Sequence, residues 1–106
     1  MPKYEVGRDI DMLIAKKVFG NNFAVSYSSD IYAALRILDK LRTEWPEQSL
    51  VRGEDTRNVG QWECCLARGH GYLRERYFAE AETLALAICR AALLVSPAVA
   101  EEREEK

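Results

Sequence analysis

The chain has 106 residues, of which 48% are hydrophobic and 30% charged, and its net charge at pH 7 is −2. This length and composition suffice for one hydrophobic core, which excludes a disordered chain and one of several domains. The small negative charge excludes a general attraction to polyanions, so contact with nucleic acid would need a local basic patch. We therefore expect one domain over residues 1–97, followed by a short charged tail, residues 98–106, that frays.

The cysteines indicate a reducing compartment. There are three of them, Cys64, Cys65 and Cys89, and adjacent cysteines do not readily meet the geometry of a mutual disulfide. The first residues lack a basic region followed by an apolar one, and no apolar stretch approaches the length of about 18 residues that a membrane helix needs. We expect an intracellular protein that does not enter a membrane.

The first predicted helix runs from Arg8 to Phe19. Its apolar residues recur at helical spacing, and two carboxylates, Asp9 and Asp11, stand near its positive end. Gly20 supplies the stop. A role at the helix start is a better explanation of this acidic pair than paired-acid catalysis, and the same holds for Glu80 and Glu82.

The second predicted helix has the clearest pattern in the chain. Ser28 or Ser29 is expected to cap it, with Asp30 in its first turn. Its apolar stripe continues to Leu41, and Pro46 forces Trp45 out of helical geometry. We expect it to end near Thr43 or Glu44.

Residues 49–78 change to a period of two, which favours antiparallel strands. The strands are expected at SLVRG, QWECCLA and YLRERYF, separated by the turn-forming residues EDTRNVG and by Gly69, His70 and Gly71. In the third strand, Tyr72, Arg74, Arg76 and Phe78 would share one side.

A last helix is predicted from Glu80 or Thr83 to Val95, and its apolar surface is wider than one stripe. Such a helix is either enclosed in the core or used in association. The predicted fold class is α+β: two helices, a small antiparallel sheet of two to three strands and a final helix (ααβββα), with the helices packed on the sheet.

Several stretches resemble the phage ABA sandwich domain family. They are Tyr27-Ser28-Ser29-Asp30-Ile31 with Ala33, Ala34 and Leu38 to Leu41, then Ala81-Glu82-Thr83 with Ala87 to Leu93, and the opening GRDIDMLIAKKVFG. The resemblance spans most of residues 7–95 and implies a small phage or prophage protein with helices on both faces of a sheet. It also implies that the protein acts in the cytoplasm of a bacterial host. The family has no established enzymatic activity, so the resemblance implies no catalytic residue. The loop EDTRNVG and the segment ARGHGYLRERYF have no counterpart in the family pattern.

Catalytic and metal sites find little support in the residues. Consecutive strand residues point to opposite faces, so Cys64 and Cys65 cannot readily bind one metal ion. His70, the single histidine, lies in a predicted turn away from a nucleophile. The glycines do not form a phosphate-binding motif. We expect a protein that is not an enzyme and that uses no metal or cofactor.

The candidate binding residues combine cationic groups with aromatic rings: Arg57, Arg68, His70, Tyr72, Arg74, Arg76 and Phe78. All of them except Arg57 are expected at successive positions of one strand face. Such a set can contact an acidic protein surface, a nucleotide or a nucleic-acid strand. A solvated sheet face is the more frequent explanation of exposed arginines.

Three functions remain open. The first is an accessory protein that binds and inhibits or redirects a host macromolecule, for instance as an anti-defence or anti-CRISPR inhibitor. The second is a small-ligand protein that sequesters a nucleotide signal through arginine contacts to phosphate. The third is a structural module that forms a homo-oligomer through the alanine-rich last helix.

Overall fold

The computed structural model describes residues 5–52 and 61–96. The elements are α1 (Arg8–Lys17), α2 (Ile31–Leu41), β1 (Glu47–Arg52), β2 (Trp62–Arg68), a short 3-10 turn (Gly71–Leu73), β3 (Glu75–Ala81) and α3 (Leu84–Val95). The predicted α+β order, ααβββα, is confirmed. Arg57, the loop EDTRNVG and the tail 98–106 lie outside the described residues.

The start of α2 differs from the prediction. Asp30, not Ser28 or Ser29, is the N-cap, and its carboxylate accepts a hydrogen bond of 2.9 Å from the backbone N–H of Tyr32. Ser28 is unavailable for capping because it is fully buried, and its hydroxyl oxygen accepts a hydrogen bond from the Gly7 N–H at 3.1 Å. A contact with the beginning of α1 thus moves the cap two residues along the chain.

The end of α2 also comes earlier than expected. The helix ends at Leu41, and the N–H groups of Arg42 and Glu44 each bond to the carbonyl three residues before them. A tightened last turn of this kind is a common way to satisfy the carbonyls at a helix end. It leads directly to Trp45, which is buried.

The sheet has the order β1-β2-β3 and is antiparallel throughout. Leu50 pairs with Cys64 and Cys64 with Ala79, while Ser49 pairs with Cys65 and Cys65 with Phe78. Residues directly opposite each other share a face, so the register divides the strands into an inner face that packs against the helices and an outer face.

The third strand begins later than predicted. The residues expected to start it form the 3-10 turn, in which the N–H of Leu73 bonds to the His70 carbonyl at 3.1 Å. Gly69 makes the reversal feasible, since its φ is +89° and a Cβ there would lie 2.8 Å from the Leu73 carbonyl oxygen. The strand therefore starts only at Glu75.

Helix α3 lies at the centre of the molecule. It contacts β2 and β3 and also packs against α1 and α2. Nine of its residues are buried: Ala85, Leu86, Ala87, Ile88, Cys89, Ala91, Ala92, Leu93 and Val95. The Ser96 hydroxyl, just beyond the helix, donates to the Lys17 carbonyl at 3.2 Å. The wide apolar surface predicted for this helix is thus used inside the protein.

All three described helices lie on the inner side of the sheet. The buried cluster joins them to inner-face residues such as Cys64, Leu66 and Ala81. This differs from the arrangement that the family resemblance implies, with helices on both faces. Within residues 5–52 and 61–96, the outer face has no helix packed on it.

Candidate functional site: the outer face of the sheet

The outer face is the largest pleated surface that the described helices leave open. It consists of Glu47, Ser49 and Val51 of β1, Glu63, Cys65 and Ala67 of β2, and Arg76, Phe78 and Glu80 of β3, together with Arg74 just before β3. The pairing register alone defines this set, because opposite and alternate positions share a side.

Two apolar side chains are exposed on the outer face. Phe78 is 54% exposed and Val51 is 52% exposed. Between β1 and Phe78 lies Cys65, a small side chain that is buried by its neighbours. The row Ser49–Cys65–Phe78 therefore places two small side chains beside one ring, which lies on the edge strand.

An ion pair crosses the outer face at one end. Arg74 Nη2 lies 2.6 Å from Glu47 Oε2 and thereby connects β1 to the residue before β3. Ala67 of the central strand is only 1% exposed although it faces outward. Because the guanidinium of Arg74 is already paired with a carboxylate, it is less available to an anionic group of a partner.

Arg76 is bound differently. Its Nε donates to the Cys65 sulfur at 3.3 Å, and this hydrogen bond raises the pKa of Arg76. No carboxylate of the described residues forms an ion pair with it. Glu63 and Glu80 occupy the opposite end of the face. Arg76 is therefore the cation of this surface that remains available to a partner.

Arg68 does not belong to the outer face. Its guanidinium lies over the ring of Trp45, 4.3 Å from the centroid, and pairs with Glu75 at 3.3 Å. Trp45 in turn meets Tyr77 edge to face at 5.7 Å. The prediction that Arg68 shares a face with Arg74 and Arg76 is wrong, because Arg68 is paired across the sheet with Glu75, on the inner side.

His70 and Tyr72 project from the turn between β2 and β3. Both are exposed, and Tyr72 is completely so. The prediction that Tyr72 belongs to a strand face is wrong, since the 3-10 turn interrupts the alternation. Of the predicted binding residues, the fold brings together Arg74, Arg76 and Phe78 on one face, and Arg57 lies outside the described residues.

Sequence reasoning missed the outer-face residues of β1 and β2. Val51 and Glu63 could have been found from the alternation in QSLVR and QWECCLA, had the register been known. The connection between these strands includes EDTRNVG, which has no counterpart in the family pattern. The sequence alone therefore leaves open which side of β1 lies beside Cys65.

Cys64 and Cys89 lack the low pKa of reactive thiols. Burial raises the pKa of Cys64 to about 12 and that of Cys89 to about 12, so both thiols are neutral near pH 7. Cys64 faces the helices and Cys65 the outer side. In the described part of the chain, no three metal-binding side chains (His, Cys, Asp or Glu) come together.

A separate open pocket of about 490 Å³ lies between the start of α1 and residues 22–26. Arg8, Asp11, Met12 and Phe23 contribute to its walls. One Asp11 oxygen already accepts the Ser28 N–H at 2.8 Å. The pocket is far in sequence from the predicted binding residues and includes none of them.

The comparisons with known proteins give one finding. The model of the phage ABA sandwich domain family matches residues 6–93. No curated protein and no solved structure matches the chain. Among the described helices, the longest has 12 residues, and none is long and apolar enough to cross a membrane. Since the match covers most of the sequence, the chain belongs to the phage ABA sandwich domain family.

Proposed function

We propose that this chain is a non-enzymatic phage or prophage accessory protein that binds a host protein in the bacterial cytoplasm and inhibits or redirects it. The observation that carries the proposal is the half-exposed ring of Phe78, halfway along the edge strand of an open sheet face. Aromatic and arginine side chains provide much of the energy of protein interfaces, and Arg76 stands beside this ring.

The chemistry of the face specifies the partner. An apolar side chain of the partner would pack on Phe78 and Cys65, and a carboxylate would approach Arg76. Basic groups would suit the end that holds Glu63 and Glu80. A nucleic acid fits less well, because the outer face carries three carboxylates and one of its two arginines is already paired.

A host defence component, such as a CRISPR effector, is the class of target we propose. Family membership places the chain among phage proteins, and small inhibitors need a contact surface rather than a catalytic site. The test is phage plating on bacteria with and without a given defence system. Expression of the chain should raise plating only where the system is present, and Phe78→Ala should abolish the rise.

The binding itself is tested with purified protein. The chain should capture one stoichiometric partner from a lysate of its host, and Phe78→Ala should weaken the affinity at least ~10-fold, as interface anchors do. Tyr72→Ala is the matched control, since it removes a fully exposed ring outside the face. Repeated failure to recover a partner, or a loss caused by Tyr72→Ala and not by Phe78→Ala, would contradict the proposal.

The two other hypotheses have less support. A nucleotide sponge needs several free cations, but Arg68 and Arg74 are each held by a glutamate. Oligomerisation through the last helix lacks an exposed apolar surface, because α3 is buried on nearly every side. A thermal-shift screen with nucleotides checks the first of these.

A further inference from the structure

Strand β3 lies at the edge of the sheet, and the first four of its residues are exposed. It pairs with β2 on one side, and no other described strand lies on its other side. Edge strands carry backbone N–H and C=O groups that can pair with another strand, and proteins commonly protect long ones. The protection here is local: Arg90 Nη1 donates to the Glu80 carbonyl at 2.8 Å, at one end of the strand.

The side chains of this edge are self-complementary. In an antiparallel pair of two β3 strands centred on Phe78, the two Phe78 rings face each other and each Arg76 lies opposite Glu80 of the second copy. All of these residues belong to the outer face. On the inner face, Tyr77 lies opposite Ala79 of the second copy, so a large side chain meets a small one.

The charges select this register. Neither Arg76 nor Glu80 has an ion pair with a described side chain, so both are available. A shift by two residues would place Arg76 opposite Phe78 of the second copy and leave its charge without a carboxylate. Aromatic pairs and opposite charges directly across an antiparallel pair both stabilise it.

We propose that the chain forms a two-fold symmetric dimer through β3, with Arg76–Glu80 pairs on either side of a central Phe78 pair. The two sheets then become one sheet of six strands, and the outer faces form one continuous surface. Helix α3 packs against β3 from the inner side of the sheet, and its Arg90 side chain reaches the edge backbone at Glu80. The Glu80 carbonyl can accept a second hydrogen bond while it keeps that from Arg90, since its oxygen has two lone pairs.

The test is sedimentation equilibrium of the purified full chain, from micromolar to millimolar concentration. The wild type should show a monomer–dimer equilibrium. Arg76→Glu and Glu80→Arg should each raise the dissociation constant at least ~10-fold, because each places like charges opposite one another twice. The double variant R76E/E80R exchanges the charges and should return the constant to within about 3-fold of the wild type.

Two controls make the result decisive. Arg36→Glu applies the same charge reversal to an exposed residue of α2 and should leave the equilibrium unchanged. Hydrogen exchange at low and high concentration should show protection of residues 75–81 in the dimer. A monomer at all concentrations, a double variant as weak as the single ones, or a dimer without protection of β3 would each overturn the proposal. The measurement contains no host component, so its outcome is independent of the proposed host binding.

Discussion

The carboxylate of Asp11 accepts a hydrogen bond of 2.8 Å from the backbone N–H of Ser28, which connects the first turn of α1 to the residue two positions before the cap of α2. Both residues are buried, and the Ser28 hydroxyl oxygen accepts a second hydrogen bond, from the backbone N–H of Gly7. These two hydrogen bonds connect the start of α1 directly to the segment that precedes α2.

Removal of this acceptor should be costly. Asp11→Ala leaves the buried Ser28 N–H without a partner and should lower the free energy of unfolding by ~1–3 kcal/mol. Asp9→Ala is the matched control, since Asp9 lies in the same turn but is exposed, and it should cost at most about 0.5 kcal/mol. Urea denaturation measures both. Equal losses would show that helix electrostatics, not the contact with Ser28, explains Asp11.

Arg68 should contribute to stability and not to partner binding. Arg68→Ala removes the guanidinium from Trp45 and from Glu75, and we expect a loss of ~1 kcal/mol. Arg68→Lys should recover only part of it, because a lysine does not stack in the same way. The measurement is thermal unfolding, followed by partner affinity. If Arg68→Ala were as stable as the wild type but bound the partner more weakly, Arg68 would be a binding residue and the prediction would be wrong.

The buried thiols predict a loss of stability in alkali. The pKa of Cys64 and Cys89 is raised from 9.0 to about 12 in the folded protein, so unfolded thiols lose protons first as the pH rises. The unfolded state then binds fewer protons than the folded one, and the free energy of unfolding falls between pH 9 and about 12.

Urea denaturation at several pH values measures this slope. The double variant C64A/C89A should show a shallower decline, whatever its stability at pH 7. The two proteins share all their other titratable groups, so the difference between their slopes reports the two thiols. If the double variant had the same slope as the wild type, the pKa of these thiols would be the same in the folded and unfolded states.

Gly69 should be the least replaceable glycine of the described turns. Gly69→Ala combines a φ of +89° with a Cβ 2.8 Å from the Leu73 carbonyl oxygen, and we expect a loss of at least ~2 kcal/mol. Gly20→Ala is the control, because its φ is +69° but a Cβ there has open space. It should cost only ~1 kcal/mol. Similar losses at the two positions would show that conformational strain alone, without the close contact, determines the effect.

The sequence predicted those elements whose pattern is repeated over several turns or strand positions. The stripe from Ile31 to Leu41 and the alternation around Cys64 are examples, and both are found. The cap of α2 could not be predicted, because the choice between Ser28 and Asp30 depends on Asp11, 17 residues away from Ser28.

The candidate site was predicted in part for a related reason. Arg74, Arg76 and Phe78 follow one uninterrupted alternation and do share a face. Arg68 and Tyr72 do not share that face, because the backbone changes conformation in the 3-10 turn and interrupts the alternation. Val51 and Glu63 depend on a register that forms only when two distant segments pair.

The central position of α3 has a consequence for synthesis of the protein on the ribosome. Every other helix, and two strands of the sheet, need this segment as their packing partner, yet it is translated after all of them. A nascent chain that has not yet released residues 84–95 from the exit tunnel has no core to collapse onto. Folding must therefore wait for nearly the whole described chain, and a product that stops short of Leu84 would be open to proteases along its length.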